Sequence, residues 1–277
     1  PGDELAVWSD AEAAEPKANL TATLRGSVIH RFCEKYVEGQ DPRECLRECL
    51  TGVIALHASE LRDRALEINQ ERAIGELMPF ARNYLDSNVR RRIETVRTDM
   101  VSRQGQRGDL EGDLAGAGEF SERSFRLRRP LGVIAGTIDK LLVYPTPGTG
   151  QLTAEIIDFK TNRFRNTGDP EAVLQEAEIA AAAYRLQMQA YALAVRELVV
   201  GADLIIGTVH FLYQNVEVSI PHDQLLPEVA AAAVDGTMEA IVSSAGAEEF
   251  PVRPGHHCRV CNFLEYCRAG RLSLRGS

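Results

Sequence analysis

From Leu24 to about Glu38 the apolar positions Leu24, Val28, Ile29, Phe32, Cys33 and Tyr36 recur at the spacing of one helix face. A second helical stretch is read from Asp41 to about Val96, with breaks expected near Gly52 and Pro79. Beyond a Gly-rich loop at 105–118 the period shortens to that of strands. "SFRLRRPLGVIAGTIDKLLVYPTPGTGQLTAEIIDFKT" gives three β-rich runs, about 119–128, 132–144 and 151–159, with "PTPGTG" as the turn between the last two. Helical spacing returns over 170–199, where Leu186, Ala190, Leu193 and Ala194 share a face. "ADLIIGTVHFLY" then reads as a further strand and 222–245 as an Ala-rich helix. The order predicts an α/β fold, a mixed sheet flanked by helices with a helical N-terminal elaboration. The acidic, Ala-rich residues 1–20 read as a tail or linker. Residues 21–277 read as one domain, helical over 24–100, sheet-bearing over 115–214, with a helix and a cysteine loop over 222–277.

Composition bounds the class. In 277 residues, 44% hydrophobic and 26% charged, no run approaches the roughly 18 apolar residues of a membrane helix. The N-terminus lacks the basic start and apolar stretch of a secretion signal, so a soluble, cytoplasmic protein is expected. The chain begins without Met, which leads us to expect a piece cut or processed from a longer polypeptide. Cys33, Cys45 and Cys49 near the start and Cys258, Cys261 and Cys267 near the end fit thiols or metal ligands in a reducing compartment better than a disulfide framework. A net charge of -9 argues by itself against a polyanionic partner. Arginines are unevenly spread, however: Arg82, Arg90, Arg91, Arg92, Arg97, Arg103 and Arg107 crowd one stretch, and Arg123, Arg126, Arg128 and Arg129 another. A local basic surface therefore stands beside the plainer alternative of solvated helix faces and strand ends.

Several polar residues interrupt segments that otherwise read as buried. Asp139 stands inside "GVIAGTIDKLLV", where an unpaired carboxylate is costly. In "AEIIDFK", Asp158 and Lys160 share strand parity and leave the same face, about 6.6 Å apart along the strand. Glu119 and Glu122 lie near the start of the first strand, and His30 on the apolar face of the first helix. Acids from two neighbouring strands with a histidine form a hard-ligand set suited to Mg²⁺ or Mn²⁺. A metal so held, with a nearby lysine, points to phosphodiester hydrolysis. Singly, an ion pair, a turn residue and a core histidine explain the same residues; together they favour the metal site. "YRLQMQAYALAV" adds Gln187 and Tyr191 four apart on one helix face, beside Tyr184.

"RGSVIHRFCE", "GTIDKLLV", "EIIDFKT" and "YRLQMQAYALAV", in that order, resemble the RecB-family branch of the PD-(D/E)XK nucleases. The corresponding motifs are a G-x-x-x-H helix, a G-x-(I/V)-D strand, a (D/E)-x-K strand and a Q-x-x-x-Y helix. The likeness covers roughly residues 24–214, and four ordered motifs are far more specific than any one of them. It implies a restriction-endonuclease-like αβββαβ core, with Mg²⁺ or Mn²⁺ bound by His30, Asp139 and Asp158 and with Lys160 as the catalytic lysine. Gln187 and Tyr191 match the trailing motif that supports the site and contacts DNA. Glu122, three before Phe125, matches the family's E-x-x-F pattern better than Glu119 does. The resemblance further implies an exonuclease acting on linear DNA ends in end processing and recombinational repair, as a module of a RecB/AddA/AddB-like helicase-nuclease. No G-x-x-x-x-G-K-(S/T) loop occurs, so a motor would lie outside this chain. Two other readings stand: a catalytically silent DNA-binding or structural module, and a stand-alone exonuclease.

"CRVCNFLEYC" has C-x2-C-x5-C spacing, which suits Zn²⁺ or an iron-sulfur cluster, with an empty triplet as the alternative. RecB-like nucleases that close with such a triplet complete a [4Fe-4S] cluster with a cysteine from before the nuclease core. No cysteine precedes His30 here. The candidates for a fourth ligand are Cys33, Cys45, Cys49, His256, His257 or a residue outside the sequence.

Overall fold

The computed structural model describes residues 20–57, 68–104, 117–146, 149, 151–164, 168–245, 252, 254, 255, 258, 261 and 263–274. The expected tail up to residue 19, most of the Gly-rich loop, Arg107, His256 and His257 lie outside the described residues.

Among the described residues four helices come first: α1 (Ala22–Lys35), α2 (Pro42–Leu56), α3 (Gln70–Asp86) and α4 (Asn88–Gln104). Each of the first three opens on a polar cap, because a helix start leaves backbone N–H groups without partners. Thr21 accepts from Leu24, Asp41 from Arg43 and Asn69 from Arg72. The breaks expected at Gly52 and Pro79 do not occur; both residues lie inside helices. Pro79 forfeits one helical hydrogen bond, but Ile74, Leu77, Phe80, Ala81 and Tyr84 around it are fully buried, and that burial outweighs the loss. The chain turns at Ser87 instead. Its hydroxyl donates to the Tyr84 carbonyl at 2.6 Å and accepts the Arg90 N–H at 3.0 Å, closing α3 and opening α4.

The three expected strands follow as β1 (Gly118–Arg129), β2 (Gly132–Pro145) and β3 (Leu152–Lys160). The helix expected over 170–199 is two, α5 (Pro170–Ala182) and α6 (Arg185–Leu198), separated at Ala183 and Tyr184. Then come β4 (Ala202–Phe211), a five-residue strand β5 (Val216–Ile220) that the sequence pattern did not reveal, α7 (Pro227–Ala245) and the short α8 (Arg268–Ser273). The sheet order is β1-β2-β3-β4-β5. Neighbours are antiparallel except β3 and β4, which are parallel and joined through α5 and α6. An apolar cluster covers each face. Residues of α1 to α4 pack on Leu142, Ile157 and Phe159; residues of α5 to α7 pack on Leu141, Val143, Ala154 and Ile156. The fold is thus the expected α/β sandwich, with β3 buried at its centre.

Candidate active site

β2 and β3 pair in register as far as Lys140 opposite Ile157, and the next step would set Asp139 opposite Asp158. There the ladder opens. The Phe159 N–H donates to Asp139 Oδ2 at 2.8 Å, and the Phe159 carbonyl lies 2.8 Å from His30 Nε2. A carbonyl only accepts, so Nε2 carries a proton, and in the neutral ring it is Nδ1 that keeps its lone pair. That nitrogen faces Asp139 Oδ1 at 3.5 Å, a gap suited to a proton or a cation. The backbone of one β3 residue, Phe159, therefore sets both the strand acid and the helix histidine, as a partner behind a metal ligand does.

Glu122 stands on β1 beside this pair. Its φ of 49° lies in the left-handed region that non-glycine residues avoid. His30, Glu122 and Asp139 are, among the described residues, the one group of three such side chains whose ligand atoms lie within 4.8 Å of one another. Glu119 goes elsewhere, bonding to Lys140 and Arg97.

Asp158, almost fully buried, stands next to that group. Lys160 Nζ lies 2.5 Å from its Oδ2, 3.5 Å from Gln187 Oε1 and 4.2 Å from the centre of the Tyr184 ring. From α6, the Gln187 amide donates to Asp158 Oδ1 at 3.1 Å and to the Tyr191 hydroxyl at 2.7 Å; that hydroxyl donates in turn to the Thr137 carbonyl at 2.7 Å. The spacing of Gln187 and Tyr191 thus links β2 to the acid on β3. Gly136 belongs to the same unit. A Cβ there would stand 2.8 Å from the Phe125 ring, which meets Tyr191 edge-on at 5.7 Å. Only glycine lets Phe125, three after Glu122, lie over β2 and touch the tyrosine.

Charge crowding shows in the titration of these groups. Burial pushes the Asp158 carboxyl up to about 6, with Lys160 pulling it down and Asp139 adding to the rise. Burial and the charge of Asp139 also raise Glu122. Asp139 itself is lowered despite its burial, by His30 and the Phe159 amide. For His30, burial opposes the charge but Asp139 and Asp158 prevail, and the imidazole is raised. Three acids share this corner with one lysine, and a divalent cation would relieve them.

The cysteines are not gathered here. Cys33, Cys45 and Cys49, candidates for a fourth ligand, are buried in the helical layer, Cys45 hydrogen-bonded to Cys49. At the far end, Gly255 N–H points to Cys258 Sγ at 3.5 Å and Gly270 N–H to Cys267 Sγ at 3.3 Å. Cys258 Sγ and Cys267 Sγ both lie against Gly270, 3.3 and 3.4 Å from where a Cβ on it would stand. Leu186, expected on the apolar face of its helix, is exposed. The sequence pattern also passed over Glu155, a second buried acid of β3 that Arg92 grips with two nitrogens at 2.8–3.2 Å.

The sequence matches the profile of the PD-(D/E)XK nuclease superfamily over residues 7–268. The chain belongs to that superfamily. No curated protein matches it. Membership in this superfamily indicates a nuclease, a phosphodiesterase, and such nucleases generally use Mg²⁺ or Mn²⁺. A nuclease of this fold binds nucleic acid, and no described helix is long and apolar enough to cross a membrane.

Proposed function

We propose that this PD-(D/E)XK protein is a Mg²⁺- or Mn²⁺-dependent deoxyribonuclease of exonuclease type, acting on linear DNA ends. The observation that carries the reading is the row of acids across three strands, Glu122, Asp139 and Asp158, closed by an imidazole whose free Nδ1 faces Asp139. These four side chains would hold the ion, an oxygen-rich set with one nitrogen that suits a hard cation. When bound, such an ion lowers the pKa of a water and takes up charge developing on the phosphoryl oxygens. The chain's own groups supply the rest. Lys160 orients the attacking water and balances the anionic phosphodiester. Gln187 holds Asp158 at its angle, and Tyr191 ties Gln187 to the backbone of β2. The full set of acids and lysine speaks against a silent module.

The order of the four motifs supports the RecB-like branch: a nuclease module working in DNA repair and recombination with a helicase motor outside this chain. In that setting Cys258, Cys261 and Cys267 would supply three ligands to an iron-sulfur cluster or Zn²⁺, their backbone N–H contacts being of the kind that tunes bound thiolates. Colour in an anaerobic preparation supports the cluster; stoichiometric zinc without colour replaces it.

The decisive assay is degradation of linear DNA by the purified chain. We expect it with Mg²⁺ or Mn²⁺, none in EDTA, and none from Asp158→Ala at an unchanged circular dichroism spectrum. Activity that survives EDTA or the substitution overturns the reading.

A further inference from the structure

The two arginine-rich stretches fare differently in the fold. On α4, Arg90 pairs with Glu94, Arg92 with Glu155 and Glu217, and Arg97 with Glu94 and Glu119. These charges are neutralised inside the protein. On β1, Arg123, Arg126 and Arg128 are exposed, and none makes an ion pair among the described residues.

β1 is an edge strand, and with β2 it forms an arm that runs past the sheet's other strands. One face of the arm is packed. Phe125 and Leu127 are buried with Ile138 against the α6 and α7 cluster, Arg129 grips Asp235 of α7 through two nitrogens at 2.8 and 2.6 Å, and Gly132 abuts Met238. The arm is therefore fixed in direction. Its other face carries Ser124, Arg126 and Arg128 opposite Thr137, Ala135 and Val133, and every one of these except Thr137 is exposed. That face leads back along both strands to Glu122 and Asp139, with Arg126 about 13 Å from Glu122 at strand rise. In a chain of net charge -9, two exposed guanidinium groups with no ion pair among the described residues, on the face that leads to the acid corner, make a local reversal of sign.

We propose that the open face of the β1–β2 arm holds the phosphate backbone of the substrate strand outside the acid corner, with Arg126 and Arg128 as its contacts. The inference rests on the nuclease reading for its ligand, but binding tests it without hydrolysis. Guanidinium groups bind phosphate oxygens through paired N–H donors, and each neutralised phosphate adds to the salt dependence of binding. The plain alternative is that charged side chains guard an edge strand against pairing with another copy.

The test is fluorescence anisotropy of a labelled single-stranded oligonucleotide with the full chain in EDTA, across a salt series. For Arg126→Ala/Arg128→Ala, weaker binding is expected, with the slope of log K against log salt reduced by about 1.4, or about 0.7 per lost contact. Arg126→Lys/Arg128→Lys keeps the charges and should restore most of the slope, which separates lost contacts from misfolding. Arg43→Ala/Arg72→Ala removes equal charge from the helical layer and should leave the slope as it is. An unchanged slope in the β1 alanine variant, an equal loss in the helical control, or no binding by the unaltered chain overturns the arm. Self-association of the alanine variant with an unchanged slope assigns the arginines to edge protection and also overturns it. A chain that binds with the expected slope yet hydrolyses nothing leaves the arm standing and sinks the nuclease reading instead.

Discussion

One central strand, β3, buries two carboxylates three residues apart, and they lead opposite lives. Glu155 faces the helical layer. Arg92 clasps it with two nitrogens, Thr208 donates at 3.3 Å and Tyr144 approaches at 3.5 Å. Asp158 faces the other way, into the acid corner. Its Oδ1 accepts from Gln187, while Oδ2 has Lys160 beside it but no well-directed hydrogen bond among the described residues. Burial alone does not mark a functional acid. What separates the two is how completely the protein satisfies the charge: Glu155 is closed by its own chain, whereas Asp158 is left with an unsatisfied oxygen and a raised affinity for protons.

That contrast breaks most sharply on exchanging the two losses. Asp158→Asn should abolish hydrolysis, by about a thousandfold or more, since several kcal/mol of charge stabilisation leave with the carboxylate. The metal-free protein should be no less stable, because a buried charge near another acid has gone. Glu155→Ala should do the reverse, lowering unfolding free energy by about 3 kcal/mol because Arg92 loses its buried partner. Its residual activity at a temperature where it stays folded should remain within severalfold. Denaturant melts and a nuclease assay on both variants check this; a stable Glu155→Ala or an active Asp158→Asn erases the distinction.

The same pair shows how far the sequence carries. Four strands were legible, β1 to β4, as runs rich in strand-forming residues that end on turn residues. Asp139, Asp158 and Lys160 were legible because polar side chains stand out in such runs. By that logic Glu155 gave the same signal, and only its partner, 63 residues earlier on another element, reveals that it is structural. Helix ends were misjudged where a composition rule met tertiary packing, as at Pro79, and where Ser87 made two caps at once. β5 escaped because five residues, three of them half-buried, offer little periodicity. The link from Thr137 through Tyr191 and Gln187 to Asp158 was visible only as a four-residue spacing. The role of the Phe159 peptide could not be seen at all, since a backbone group has no sequence signature.

Gln187→Ala is expected to act more mildly than loss of the acid. It frees one Asp158 oxygen and removes the tie to Tyr191. A group that orients a ligand typically costs 10–100-fold in metal affinity or activity when removed. The half-saturating Mn²⁺ concentration should rise by about that factor, while Tyr191→Phe, which leaves Gln187 in place, should show less. Equal and full loss in both would make the helix a reactive element and not a brace.

The smallest effect is in pH, and its sign is specific. The Asp158 carboxyl titrates in the metal-free fold at about 6, above the ordinary carboxylate value, so the native state binds a proton that the unfolded chain releases. Stability from this group therefore grows as pH falls from about 6 toward 4, and is lost as pH rises through that window. His210 works against it. Burial lowers its imidazole to about 4, so the unfolded chain takes up the proton first and acid destabilises the fold over much of the same range. Glu122 and Asp139 are shifted as well, in opposite directions, so the informative quantity is a difference between variants. Asp158→Asn should lose more stability than the unaltered chain on going from pH 6 to pH 4 in EDTA, because the stabilising protonation of Asp158 is gone while His210 still acts. Parallel profiles for Asp158→Asn and the unaltered chain would mean that Asp158 is as well satisfied as Glu155, and the contrast between the two faces of β3 would be gone.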